Sequence, residues 1–153
     1  MKSELLIRQV KSIIDDRVPS ISNLSNVTAV IKEGFEYTNW AGFYLVDEVN
    51  QRLYLGPFQG PVACTSIPFD KGICGRSYRL KDVVMVGDVS SDKDHIACSA
   101  ATRSELVAPI IKNNKVVALI DIDSDVLNNF TDDDIETIKA IAEVLEKLFN
   151  DIE

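Results

Sequence analysis

The sequence lacks the features that would place the protein in a membrane or on nucleic acid. No apolar run approaches the roughly 20 residues that a membrane-spanning helix requires, and the N-terminus leads into an amphipathic pattern instead of a signal peptide. Acidic residues outnumber basic residues by 24 to 16, which gives a net charge of −8 and leaves no basic face for phosphate backbones. We therefore expect a cytoplasmic protein without membrane or nucleic-acid partners.

Cysteine and histidine are scarce, with three cysteines and one histidine in the whole chain. Cys64, Cys74 and Cys98 form no CxxC pair, so the spacing gives poor support to a structural zinc site, and we expect no metal. An odd number of cysteines in a reducing compartment argues against a permanent disulfide framework. From spacing alone, buried inert thiols and catalytic or redox thiols both remain open.

The composition is that of a folded chain, because 46% of the 153 residues are hydrophobic and 26% are charged. This length suits one domain with a sizeable core, and no linker or internal repeat interrupts it. We therefore expect residues 1–153 to form a single domain.

Helical spacing of apolar residues predicts two N-terminal helices and a C-terminal helix. The first is predicted over about residues 3–16, ended by Pro19. Ser20 or Ser22 is expected to cap the second helix. Its predicted buried stripe comprises Leu24, Val27, Val30, Ile31 and Phe35. A Thr-Asp-Asp-Asp cap at residues 131–134 is expected to start the last helix.

Alternating apolar residues and turn signals predict strands between these helices. The predicted strands cover residues 42–46, 52–55, 64–69, 83–86, 104–112 and 115–123, with a loop at 56–61, a short helix at about 71–81 and a polar loop at 87–97. This order predicts an α+β fold with an antiparallel central sheet and helices packed mainly on one face.

Trp40, Gly42 and Tyr44 are expected on one face of the first strand, because alternate residues of a strand point the same way. An aromatic pair at this spacing is more often part of a core than of a ligand cage. We expect Gly42 to leave open space between the rings, which modestly favours a cage.

Asp121 and Asp123 are expected to share one face of the last strand, while Ala118, Ile120 and Ile122 face the helices. Two neighbouring carboxylates repel, which raises the pKa of one of them unless a cation binds. The pair can therefore hold an ammonium group or supply an acid near neutral pH. The alternative is an exposed sheet face with solvated acids.

Glu105 reaches the face of Asp121 only if the last hairpin is irregular. A strict two-residue turn at Asn113-Asn114 places Glu105 opposite Ile122, on the wrong face, and a bulge would restore it. Because proline cannot donate to a ladder, we expect this bulge at Pro109.

His95 lies three residues before Cys98. If this segment turns helically, the imidazole lies near the thiol and favours the thiolate. A lone histidine in a loop is more often merely exposed, and Arg103 is an alternative cation.

Six ordered strings, from about residue 39 to the end of the chain, resemble the free methionine-(R)-sulfoxide reductase family, whose members are built on a GAF domain. The strings are NWAGFYLV, LYLGPFQGPVAC, IPFDKGICG, DHIAC, RSELVAPI and LIDIDS. The resemblance implies a GAF fold and reduction of free methionine-(R)-sulfoxide by a homodimer, without a cofactor and with thioredoxin as the usual reductant.

The resemblance also implies roles for the three cysteines. Cys98 matches the catalytic cysteine, Cys64 the cysteine that forms a disulfide with it, and Cys74 a third cysteine that can take part in recycling. The sequence departs from the family at Ser91–Asp94, where a Phe-Pro-Gly type segment is common, and at Ser99, where Asp is common. Both departures lie in the loop over the site and concern its geometry and rate.

For substrate binding, the resemblance implies that Trp40 and Tyr44 contact the methyl sulfoxide end. Glu105, Asp121 and Asp123 match the acids that hold the substrate or polarise its sulfoxide. The rival hypothesis is a non-enzymatic GAF sensor for a small molecule or for redox state, because GAF domains host many functions. We expect no output domain, which disfavours a fused sensor.

Overall fold

The computed structural model describes residues 2–96 and 101–150, which contain four α-helices and six strands. The helices are α1 (Lys2–Ile13), α2 (Ser20–Gly34), α3 (Gly72–Leu80) and α4 (Asp132–Leu145). The strands are β1 (Thr38–Asp47), β2 (Arg52–Gln59), β3 (Ser66–Pro68), β4 (Val84–Val86), β5 (Ser104–Lys112) and β6 (Lys115–Ser124). Short 3₁₀ turns cover Val89–Ser91 and Glu146–Phe149. Within the described ranges, every helix is too short or too polar to cross a membrane.

All six strands form one antiparallel sheet in the order β3-β2-β1-β6-β5-β4. Helices α1, α2 and α4 pack on one face of this sheet, and α3 packs on the other. The predicted α+β architecture, with an antiparallel sheet and helices mainly on one face, is confirmed.

Alternate residues of the central strands supply two separate apolar layers. Phe43, Leu106 and Ile120 are fully buried against α1, α2 and α4. Val107 and Leu119 point the other way and pack with the residues of α3. A slip of one residue in any central strand would exchange these two faces, so the larger apolar layer fixes the register.

The start of α2 differs from the prediction. Pro19 holds the N-cap position and makes no side-chain cap hydrogen bond, so neither Ser20 nor Ser22 is the cap. The fixed φ of proline directs the chain into the helix. Asn23 exchanges two hydrogen bonds, of 2.9 and 3.0 Å, with the backbone of Asp15. This turn also ends α1 three residues earlier than predicted.

The predictions for α4 and β2 have opposite outcomes. Thr131 and Asp134 form a reciprocal capping box at the start of α4, as expected. Strand β2 is longer than expected, because Gly56 and Pro57 belong to a bulge opposite Phe43 and not to a loop. Pairing resumes after this bulge and continues to the end of β2.

The β5–β6 hairpin contains the bulge that Glu105 requires. Both residues of the Asn113-Asn114 turn have positive φ, 51° and 63°, as a tight two-residue hairpin turn demands. The register then shifts between Ile110 and Ile111, which leaves Val117 as an extra residue on β6. This shift moves Glu105 onto the face of the two aspartates.

The expectation that this bulge lies at Pro109 is wrong. Pro109 pairs with Leu119 in regular register. Strand β4 pairs only with residues 105–107 of β5, so Pro109 has a strand partner on the β6 side alone. Proline is therefore tolerated without any irregularity at its own position.

Candidate active site

Three acids meet on the sheet face that α3 covers. Glu105 of β5 stands opposite Asp123 of β6, and Asp123 pairs on its other side with Trp40 of β1. Two residues along β6, Asp121 pairs with Gly42. Paired residues share a face of the sheet, so the register alone brings the acids together. We call Glu105, Asp121 and Asp123 the acidic triad.

The acidic triad is removed from water, which perturbs its proton affinity. Glu105 is 7% exposed and Asp121 is 6% exposed. Burial, followed by repulsion from Asp121, raises the pKa of Glu105 and of Asp123 well above the ordinary range. Burial also raises the pKa of Asp121, against opposing hydrogen bonds with Glu105 and Cys74. The triad therefore favours protonated carboxyls or a cation.

Within residues 2–96 and 101–150, the Oδ1 atoms of Asp121 and Asp123 are buried without a hydrogen-bond partner. Thr102 donates to the Oδ2 atom of Asp123 at a long 3.4 Å. Buried polar atoms are normally satisfied because an unpaired one costs free energy. The triad is thus suited to a ligand that brings donors or positive charge.

Cys74 covers the triad from α3. Its Sγ atom and one carboxylate oxygen each of Glu105 and Asp121 all lie within 4.8 Å of one another. The residue is a free cysteine, 3% exposed. Burial, followed by the charge of Asp121, raises the pKa of the thiol well above its usual range. Cys74 is therefore a neutral thiol in this position and a poor nucleophile.

The aromatic pair lies beside the triad, as predicted, but the expected open space between the rings is absent. The rings of Trp40 and Tyr44 are buried and stacked, with centroids 6.2 Å apart. A Cβ atom on Gly42 would lie 2.7 Å from the Trp40 ring and would also clash with Phe58. The β2 bulge explains the error, because it places Phe58 opposite Gly42 and stacks its ring on Trp40 at 5.3 Å.

Both aromatic residues also hold the loop that carries Cys64. The indole N–H of Trp40 donates to the carbonyl of Pro61 at 3.0 Å. The hydroxyl of Tyr44 donates to the carbonyl of Cys64 at 2.8 Å. Cys64 is half-buried and disulfide-bonded. Cys98, like Ser99, lies outside the described residues.

A small cavity of about 50 Å³ connects these groups. The triad, Cys74 and the aromatic pair line it, together with Val62, Ala63, His95 and Ile96. Burial raises the pKa of Asp121, and the nearby His95 is one of several weaker influences that oppose this rise. The predicted contact of His95 with Cys98 lies outside the described residues.

Arg103 is not among the residues that line this cavity, and its predicted role beside Cys98 lies outside the described residues. Its side chain is exposed, and its charge acts on Asp88, whose pKa it helps to lower. Arg103 precedes β5, which begins at Ser104, so the alternation of the strand does not fix the direction of its side chain.

Sequence reasoning missed two residues that support the site. One is Thr102, the donor to Asp123. The other is Arg76 of α3, which contacts Asp94 at 3.0 Å and Asp92 at 2.5 Å and so ties down the loop that leads to His95. Only the opposite charges of Arg76 and its partners Asp92 and Asp94 could have indicated these ion pairs, because no periodic spacing relates the three residues in sequence.

Comparisons with known proteins identify the family of this chain. The model of the GAF domain matches residues 24–148. Protein YtsP of Bacillus subtilis is 42% identical over 144 residues, which cover 94% of this chain and 88% of that protein. Free methionine-R-sulfoxide reductase of Escherichia coli is 37% identical over 143 residues, which cover 94% of this chain and 86% of that protein.

A solved structure resembles the whole arrangement. The free methionine-R-sulfoxide reductase from Neisseria meningitidis, in complex with its substrate, superimposes with a TM-score of 0.91 at 41% identity. The match covers 96% of this chain and 87% of that one. The chain therefore belongs to the GAF-domain family of free methionine-(R)-sulfoxide reductases.

Proposed function

We propose that the protein reduces free methionine-(R)-sulfoxide to methionine. The observation that carries the proposal is the buried acidic triad, which shares one cavity with the aromatic pair Trp40 and Tyr44. The relatives named as reductases of this substrate, one of them solved with its substrate, support the same reaction.

The triad accounts for a preference for the free amino acid. A free amino acid carries an ammonium group, which can pair with a buried carboxylate that otherwise lacks a partner. A methionine inside a peptide lacks this ammonium group and would leave the carboxylate unpaired. We propose that Trp40 and Tyr44 receive the methyl sulfoxide end of the substrate.

The raised pKa values fit the chemistry of sulfoxide reduction. The thiolate of Cys98 attacks the sulfoxide sulfur, and the oxygen needs a proton as its bond to that sulfur breaks. Glu105 and Asp123 hold protons to higher pH than ordinary carboxyls, so the triad can donate one. Methionine then leaves, and Cys98 carries the oxygen as a sulfenic acid.

Recycling needs a second thiol. We propose that Cys64 attacks the sulfenic acid, so that water leaves and a Cys64–Cys98 disulfide forms. A thioredoxin dithiol in the cytoplasm then reduces this disulfide. The disulfide-bonded state of Cys64 supports its part. Any role of Cys74 in recycling requires its buried thiol to leave the triad first.

The test measures turnover of free methionine-(R)-sulfoxide, its S epimer and a peptide-bound sulfoxide with dithiothreitol or thioredoxin. We expect turnover of the free R form alone. Cys98→Ser should abolish it, whereas Cys64→Ser should release about one methionine per chain and then stop with thioredoxin. Full steady-state activity of Cys98→Ser would refute the assigned nucleophile. No turnover by a folded wild-type protein would favour a sensor, and sedimentation of the same sample tests the expected homodimer.

A further inference from the structure

We propose that Cys74 and the acidic triad form a binding site for Zn²⁺, and that the bound ion inhibits the enzyme by excluding the substrate. The binding of Zn²⁺ follows from the geometry alone, whereas the inhibition rests on the proposed function.

The ligand set suits this ion. Zn²⁺ binds cysteine sulfur and carboxylate oxygen, usually with four ligands at about 2.0–2.3 Å. Such distances put the ligand atoms about 3.5 Å apart, and the atoms of Cys74, Glu105 and Asp121 already lie within 4.8 Å of one another. Small side-chain rotations would close this gap, because the three ligands come from α3, β5 and β6 and surround the cavity.

The unpaired oxygens provide independent support for a cation. The Oδ1 atom of Asp121 belongs to a side chain that is more than nine-tenths buried, and it has no hydrogen-bond partner among the described residues. The Oδ1 atom of Asp123, on a half-buried residue, is also buried without a hydrogen-bond partner among the described residues. Both residues line the cavity. A bound cation would coordinate these oxygen atoms, so they would not need hydrogen bonds within the triad.

The ligand groups line one small cavity, which suits a single ion. The ion would neutralise the carboxylates that we assign to the substrate ammonium, so both cannot bind together. On binding, Cys74 loses its thiol proton and the triad loses any shared protons to the solvent. Mg²⁺ should bind poorly, because it prefers six oxygen ligands and avoids sulfur.

The experiment uses Cd²⁺ as a spectroscopic substitute for Zn²⁺. The metal is added to oxidised protein in which a thiol count finds one free cysteine per chain. We expect one Cd²⁺ per chain with a thiolate-to-cadmium charge-transfer band in the ultraviolet, displaced by Zn²⁺ and not by Mg²⁺. Cys74→Ser should lose the band, and Asp125→Asn, which changes an exposed acid just after β6, should keep it.

A folded wild-type protein without this band, or a folded Cys74→Ser protein that keeps it, would overturn the proposal. If Cys74→Ser does not fold, Glu105→Gln provides the second test, and we expect at least tenfold weaker Cd²⁺ binding. Unchanged affinity in that variant would also overturn the site. Metal binding without any sulfoxide turnover would retain the site and refute the proposed function, so the two failures are distinguishable.

Discussion

The acidic triad should make the protein less stable as the pH rises from 5 to 7, and Glu105→Gln should remove much of this loss. Burial, followed by repulsion from Asp121, raises the pKa of Glu105 well above its ordinary value. The folded protein therefore binds a proton that the unfolded chain has already released. The stability from this group is complete below the unfolded pKa of about 4.3 and is lost as the pH rises toward the folded pKa.

The expected loss is large in relation to the stability of a small domain. Each pH unit between the unfolded and the folded pKa costs about 1.4 kcal/mol for one such group. A carboxyl that keeps its proton over two pH units in the folded state costs about 3 kcal/mol, of a total of about 5–15 kcal/mol. Four acids outside the triad act below this window, because hydrogen bonds lower their pKa values and their contributions are lost only as the pH falls below about 4. These acids are Asp15, Asp47, Asp88 and Asp92.

Urea unfolding at pH 5, 6 and 7 measures the effect. At pH 7 we expect Glu105→Gln to be more stable than the wild type by about 1–3 kcal/mol, and at pH 5 we expect the difference to approach zero. Glu136→Gln, an exposed acid of α4, is the matched control and should follow the wild type at every pH. Parallel pH profiles for Glu105→Gln and the wild type would refute the reasoning, because Glu105 would then not hold the extra proton.

Two further substitutions test how the site is shaped. Gly42→Ala places a methyl group 2.7 Å from the Trp40 ring, so we expect a loss of about 1–3 kcal/mol in urea unfolding and a higher KM. An unchanged KM would show that the ring position does not shape the binding site. Arg76→Gln breaks the ion pairs with Asp92 and Asp94, and since Arg76 is 26% exposed we expect a stability loss below about 1 kcal/mol. Its kcat should nevertheless fall several-fold, and an unchanged kcat would show that these ion pairs do not position the loop.

The two-residue repeat of a strand predicted which side chains share the face of the acids, because this repeat depends only on the order of residues in the chain. Asp121 and Asp123 share a face of β6 whatever its partners are, and the same holds for Trp40 and Tyr44 on β1. The requirement for a bulge followed from the same reasoning, since Glu105 had to change faces to join the aspartates. These features use only the two-residue repeat of an extended chain.

The position of the bulge could not be predicted, because the sequence offers no contrast there. Val116, Val117 and Ala118 are all small apolar residues, so the polar-apolar pattern does not reveal which of them is extra. The bulge was predicted at Pro109 because proline has no N–H to donate to a neighbouring strand. Pro109 nevertheless pairs with Leu119 in regular register, and β4 does not extend to it on the other side. The position of the bulge depends on the backbone pairing between β5 and β6, which a single sequence does not reveal.

The proximity of Cys74 to the triad also lies beyond sequence reasoning, because it depends on how α3 packs across the sheet. Cys74 is 31 residues from Glu105 in the chain, and no repeat relates the two. Burial then changes the chemistry of this cysteine, since the carboxylates that surround it raise the pKa of its thiol. A cysteine pattern indicates how many thiols exist, whereas packing decides which of them can react.

The core and the site use alternate residues of the same strands, which explains how the fold can bury three acids. Leu106 and Ile122, the neighbours of Glu105 and Asp121 along their strands, are fully buried in the layer beneath α1, α2 and α4. A slip of one residue would drive the acids into that layer and expose the apolar residues, at a cost far above that of the triad itself. The apolar face therefore holds the acids in a position that they disfavour electrostatically. A positively charged ligand relieves the repulsion between these acids, which adds to its binding free energy. The same repulsion that lowers the stability of the free protein at neutral pH therefore raises the affinity of the site for such a ligand.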